Sequence, residues 1–253
     1  RAESPDSGFY RVVVSNCCGV VTSATAVVRV ERADHYASAV LADSPLHYYR
    51  LDEVSGNTVA DVGVAGRNTG RLNGGVAVNQ QSVVPALGQA VRFDGSPGTF
   101  IDLGLFHPGG AITVEAWVNL DSDATNNPSY NAIVARWDGS YELDVTPGDK
   151  VNFVVRNQSN AFGLVASPQP IDRCRWYHLV GTYGNGLLCL YIDGTNAASV
   201  PFPGVLRDGG PVPDRVLVGA TRDGSSASFQ WKGLIDEVAL YNYVLSPLQV
   251  SAH

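Results

Sequence analysis

From residue 46 to residue 241 the chain is a succession of short strand-like runs closed by Gly, Asn or Asp, with no long amphipathic helix between them. The runs are Leu46–Leu51, Gln89–Phe93, Phe100–Leu103, Ile112–Leu120, Ala132–Trp137, Tyr141–Val145, Val151–Arg156, Gly163–Ala166, Trp176–Tyr183, Leu187–Ile192, Arg215–Gly219 and Gly233–Tyr241. Parallel sheets need helical crossovers, so this pattern calls for antiparallel strands, and so many of them call for two stacked sheets. Apolar residues at 45% against 16% charged supply a core, and Gly 27 with Pro 14 supply the turns.

One hairpin is fixed in detail by its turn. Asn185-Gly186 is a two-residue hairpin signal. It pairs Gly184 with Leu187, Thr182 with Cys189 and Leu179 with Ile192. Leu179, Tyr183, Leu188, Leu190 and Ile192 then face the core, while Trp176, His178, Val180, Cys189 and Tyr191 share the opposite face. The register leaves Cys174 about 26 Å from Cys189 at strand rise, and a disulfide tolerates only about 7 Å between Cα atoms. These two cysteines are expected to be unbridged. Cys17 and Cys18 read as small turn residues, with an intermolecular bridge as the second reading, and the four cysteines lack zinc-finger spacing.

The first thirty residues are a separate matter. Tyr10, Val12 and Val14 alternate in one run, Ala26, Val28 and Val30 in a second, and Asn16-Cys17-Cys18-Gly19 turns between them. Asp6-x-Gly8-x-Tyr10 resembles the tyrosine corner near the end of an immunoglobulin-like domain, so residues 1–31 read as its last two strands. Val12 stands where that family places its second core cysteine. A lone hairpin is marginal in water, and its valine face asks for cover, from its own neighbour or from a second chain by strand addition. Residues 32–43 read as a short helical connector with an apolar stripe at Tyr36, Val40 and Leu41, stopping before Pro45.

A net charge of −7 argues against binding nucleic acid, which needs a basic face, and no run approaches the length of a membrane span. Met 0 leads us to expect a fragment, a processed form or part of something larger. Basic residues are nearly all Arg, the lysines being Lys150 and Lys232.

Five segments in order resemble the laminin-G-like members of the concanavalin A-like lectin/glucanase superfamily. They are Ser44-Pro45-x-x-Tyr48-Tyr49-Arg50-Leu51-Asp52-Glu53-x-Ser55-Gly56; Val91-x-Phe93-Asp94-Gly95; Ile112-Thr113-Val114-Glu115-Ala116-Trp117-Val118; Trp176-Tyr177-His178-Leu179-Val180-Gly181-Thr182-Tyr183 with Tyr191-Ile192-Asp193-Gly194; and Gly233-Leu234-Ile235-Asp236-Glu237-Val238-x-Leu240-Tyr241-Asn242. The resemblance covers residues 44–253 and implies an all-β fold, a jelly-roll β-sandwich with the partial immunoglobulin-like hairpin ahead of it. It also implies a secreted or cell-surface module that binds a glycan or protein ligand.

Glucanases of this superfamily carry E-x-D-x-E or E-x-D-x-x-E on one strand. Glu142-Leu143-Asp144 begins that motif, but Thr146 and Pro147 replace the second glutamate, so a glycoside hydrolase is the least favoured reading. Glu142 and Asp144 are taken as solvent-facing. The resemblance also implies one structural calcium ion, with Asp94 and Asp236 as the matching carboxylates; the competing reading makes both of them turn or strand-end residues bonded to backbone amides. A glycan site needs exposed aromatics beside polar groups, and Tyr130, Trp137, Asp138 and Arg222 have that character. The histidines lack metal spacing, and His178 reads as structural. Asn157-Gln158-Ser159 is a glycosylation sequon. Three functions follow: a recognition or adhesion module, a subunit of a filament or surface layer that self-assembles through residues 6–31, and, last, the hydrolase.

Overall fold

The computed structural model describes residues 8–16, 19–28, 34–66, 68–82, 88–106, 108–124, 130–136, 140–207, 215–223 and 226–253. The N-terminal strands are β1 (Gly8–Tyr10), β2 (Val13–Asn16), β3 (Gly19–Thr22) and β4 (Ala26–Val28), followed by α1 (Asp34–Ala42). Next come β5 (His47–Tyr49), β6 (Thr58–Val59), β7 (Gly70–Asn73), β8 (Ala77–Gln81), β9 (Gln89–Asp94), β10 (Phe100–Leu105) and β11 (Ile112–Leu120). The middle holds β12 (Asn131–Arg136), β13 (Tyr141–Val145), β14 (Val151–Arg156), β15 (Phe162–Ala166), β16 (Trp176–Gly184), β17 (Leu187–Ile192) and β18 (Thr195–Pro201). The chain closes with β19 (Arg215–Val218), β20 (Thr221–Asp223), β21 (Ser226–Ser228), β22 (Lys232–Tyr241) and α2 (Pro247–Ala252).

Among the described residues two eight-stranded antiparallel sheets result. One runs β15-β14-β13-β12-β19-β10-β7-β6; the other runs β18-β17-β16-β11-β22-β9-β8, with β5 also on β22. Their inner faces enclose a core that includes Phe93, Val114, Phe153, Leu179, Leu190 and Trp231, all fully buried. The closeness of the layers shows at Gly181 in mid-β16: an added Cβ would lie 2.4 Å from the ring of Phe153 in the opposite sheet. Gly181→Ala should therefore cost about 1–3 kcal/mol by overpacking, read as a lower urea midpoint with an unchanged slope.

The β16–β17 register matches the turn-based expectation at all three pairs. Asn185 and Gly186 both take positive φ, 52° and 75°, as the tight turn requires. Cys174 and Cys189 are both free; Cys17 and Cys18 lie outside the described residues.

A second, smaller core lies on the outer face of the β11-containing sheet. Tyr36, Ala37 and Val40 of α1 meet Tyr48, Val180, Tyr191, Tyr241 and Val250 of α2. The connector helix thus forms, but Leu41 is 43% exposed and its place in the stripe is taken by Ala37. α2 is held by a capping box: Ser246 Oγ accepts from Gln249 N, and Gln249 Oε1 accepts from Ser246 N at 2.9 Å.

The N-terminal segment is a two-stranded ribbon, β1 on β4 and β2 on β3. Val12, Val13, Val14, Val20 and Val21 are all more than half exposed.

Candidate functional site

The outer face of the second sheet carries an aromatic cavity of about 360 Å³ between Trp117, Trp176, His178, Asp193, Ser251 and His253. Sheet geometry assembles it. Trp117 of β11 and His178 of β16 are cross-strand partners, and both point away from the core. Their rings stack at 5.1 Å and 25°. Asp193 and Gly194, at φ 48° and 75°, make the two-residue turn from β17 to β18. Asp193 Oδ1 accepts from His178 N at 3.0 Å, and Oδ2 pairs with Arg175 Nη2 at 3.2 Å. α2 brings Ser251 and His253 to the remaining wall, and Ser251 Oγ donates to Leu248 O.

Under the cavity lies a buried ionic network. Glu115, fully buried, accepts from Tyr36 Oη at 2.8 Å and meets His253 Nδ1 at 2.9 Å. His253 Nε2 reaches Asp43 Oδ2 at 3.1 Å, and His178 Nε2 lies 3.9 Å from Glu115 Oε1. Burial by itself raises the Glu115 carboxyl, but the imidazoles of His178 and His253 overcome it and hold the group at about 2. His253 is raised: burial lowers it, and the facing carboxylates of Glu115 and Asp43 more than reverse that.

A second acid cluster surrounds Asp236. A bulge in β22 opposite Ala116, with Glu237 at φ 51°, places Asp236 and Glu237 side by side. Both are fully buried. Ser82 donates to Asp236 and Tyr48 to Glu237, while Arg50 lies 3.6 Å from Glu237 and 3.1 Å from Asp52. Burial and then the Glu237 charge push Asp236 up to about 9, and burial pushes Glu237 to about 7.

The anticipated calcium carboxylates do not converge. Asp94 pairs across the sheet with Lys232, four residues before Asp236, a separation of about 13 Å at strand rise. One ion cannot bind both, since its oxygens sit within about 2.6 Å of it. Asp94 instead accepts from Ser96 N at 2.9 Å and Thr99 Oγ1 at 2.8 Å, as a turn aspartate does. Among the described residues no three His, Cys, Asp or Glu side chains are placed to hold a metal.

Tyr130, proposed for glycan stacking, is 43% exposed, its ring edge-on to Phe229 at 5.8 Å. Trp137 and Asp138 lie outside the described residues. Arg222 belongs to the short β20–β21 ribbon opposite Ala227, and its side chain also lies outside them. Trp231, which ends that loop, is a core residue.

Glu142 and Asp144 require a correction. They point away from the core but not into solvent: Asp144 is 3% exposed and Glu142 only partly exposed. Thr221 donates to Glu142 at 3.2 Å and Asn152 to Asp144 at 3.2 Å. Burial raises Glu142 to about 7, and burial together with the Glu142 charge raises Asp144 well above the usual range. The sequon asparagine is also enclosed, donating to Pro203 O and accepting from Ala161 N. Asn157 is 7% exposed, so the folded chain offers it no room for a glycan.

Two antiparallel layers around one core define a jelly-roll β-sandwich. The chain belongs to the concanavalin A-like lectin/glucanases superfamily: the laminin-G family model matches residues 93–251. That match does not include the N-terminal ribbon. No curated protein sequence is significantly similar to the chain. Among solved structures it is similar to the receptor binding domain of botulinum neurotoxin C/D mosaic serotype, with TM-score 0.62 and 14% identity over 83% of this chain and 50% of that one. The binding domain of Paraclostridial Mosquitocidal Protein 1 gives TM-score 0.63 and 14% identity over 83% and 52%. The ligand binding domain of botulinum neurotoxin serotype D, solved with N-acetylneuraminic acid, gives 0.62 and 14% over 84% and 51%. The chain spans about half the length of these structures.

Proposed function

We infer that the chain is a non-catalytic recognition module of a larger secreted or cell-surface protein, and that a glycan seats in the cavity beside Trp117 and Trp176. The observation that carries this is the pair of indoles flanking a cavity with a carboxylate at its rim. Sugars present a C–H face that stacks on aromatic rings and hydroxyls that need polar partners, and the cavity falls in the size range of small-molecule sites. Its structural neighbours include receptor-binding and ligand-binding domains, which supports a binding role. No helix among the described residues is long and apolar enough to cross a membrane.

Catalysis is disfavoured by chemistry. A retaining glycosidase needs one ionised carboxylate and one protonated one about 5 Å apart. Thr146 and Pro147 stand where the glucanase motif would place its second glutamate, so Glu142 lacks that partner carboxyl. Release of reducing sugar from β-glucans would overturn this.

A glycan array tests the proposal. Trp176→Ala should reduce binding at least tenfold, while Tyr130→Ala leaves it unchanged; the opposite outcome would move the site to the Tyr130 loop. A second reading rests on the exposed valines of the N-terminal ribbon: the chain is a subunit that adds strands to a neighbour. Deleting residues 6–31 should then abolish assembly in electron micrographs, and filaments that persist would remove it.

A further inference from the structure

Resting on that reading of the cavity, we propose that it selects neutral sugars and rejects sialylated or sulfated ones. The groups around it are poor in free cations. Asp193 presents a carboxylate whose side chain is 39% exposed. Ser251 uses its hydroxyl proton on Leu248 O, so toward a ligand it accepts. Beneath the floor, Glu115 and Asp43 bracket His253, and both ring nitrogens of that histidine are engaged by them. Arg175 is directed at Asp193 and Asp172. An anion entering here loses water, meets carboxylates and, among the described residues, finds beside Asp193 only the Arg175 guanidinium, already paired with Asp193 and Asp172. The net charge of −7 repels it at longer range as well.

A small quaternary ammonium such as choline fits less well than a sugar, although indole faces attract cations. It carries no N–H and a single hydroxyl, whereas a sugar ring stacks on the indoles and carries several hydroxyls that donate to Asp193 and Ser251.

The test is tryptophan-fluorescence titration and array binding of the whole chain against three matched sets: neutral hexose- or N-acetylhexosamine-terminated glycans, their sialylated forms and their sulfated forms, with choline as a separate arm. Neutral glycans should bind at least tenfold tighter than their acidic counterparts and choline should not compete. Asp193→Asn, which keeps the turn and the acceptor for His178 N, should narrow the gap. Acidic glycans binding as tightly as neutral ones, or choline displacing them, would overturn the selectivity while leaving glycan recognition standing. Binding of no glycan at all would sink the recognition reading, and the selectivity with it.

Discussion

Replacing Glu115 with alanine is expected to lower the melting temperature by roughly 10 °C, a loss of about 3–5 kcal/mol. Glu115 is where both helices are tied to the sheet: Tyr36 of α1 donates to one oxygen, and His253, just past α2, meets the other. Removing the carboxylate leaves buried His253 facing Asp43 without the group that does most to raise it, and leaves the Tyr36 hydroxyl without its acceptor. Removing one partner of a buried pair costs more than the pair is worth intact, because the other charge stays out of water. Calorimetry should show the drop, and proteases should cut between residues 34 and 46 more readily. A change below about 1 kcal/mol would mean that the apolar contacts of Tyr36, Val40 and Val250 alone dock the helices. The same network gives a pH signature. His253 is raised in the folded chain, so its contribution is complete below the unfolded histidine value of about 6.5 and fades as pH climbs through the raised folded value.

The second large effect has the opposite sign. Asp236→Asn should stabilise the protein by about 2–5 kcal/mol at pH 7.5, or roughly 5–15 °C, and change little at pH 4. The folded carboxyl is raised to about 9, against about 3.9 when unfolded. Between those values the folded state holds a proton that the unfolded state releases, so stability falls as pH rises across that window. Asparagine is neutral throughout, keeps an acceptor for Glu237 N and keeps a polar group for Ser82. Melting curves from pH 4 to 9 should flatten in the variant. Parallel curves for both proteins would show that Asp236 ionises normally, with water reaching it.

Local chemistry made much of this fold legible and left specific parts dark. Asn185-Gly186 admits one tight turn, so the β16–β17 pairing follows from the sequence alone. Apolar runs such as Ile112–Leu120, Tyr141–Val145 and Val151–Arg156 matched their strands end to end. Polar edge strands gave no such signal: Thr195–Pro201 and Ala77–Gln81 are largely exposed, and partner strands hold them in place. Period-two alternation says which residues leave the core, not whether something covers them. Glu142 and Asp144 were misjudged for that reason, and the outer-face role of Trp176 and His178 was seen without its cavity. The remaining walls come from Trp117, Asp193 and His253, brought together from three regions of the chain. No local pattern joins Glu115 to His253. Only the Ser246-Pro247-x-Gln249 cap, overlooked among the turns, could have announced the helix that carries His253 there.

The position of a bound ligand decides whether the indole cavity is the recognition site. A crystal structure of the chain soaked with the tightest neutral glycan from the array should show the sugar ring between Trp117 and Trp176, with a hydroxyl on the Asp193 carboxylate. Density for that sugar against Tyr130 and Phe229 instead, with an empty space beside Trp176, would contradict it.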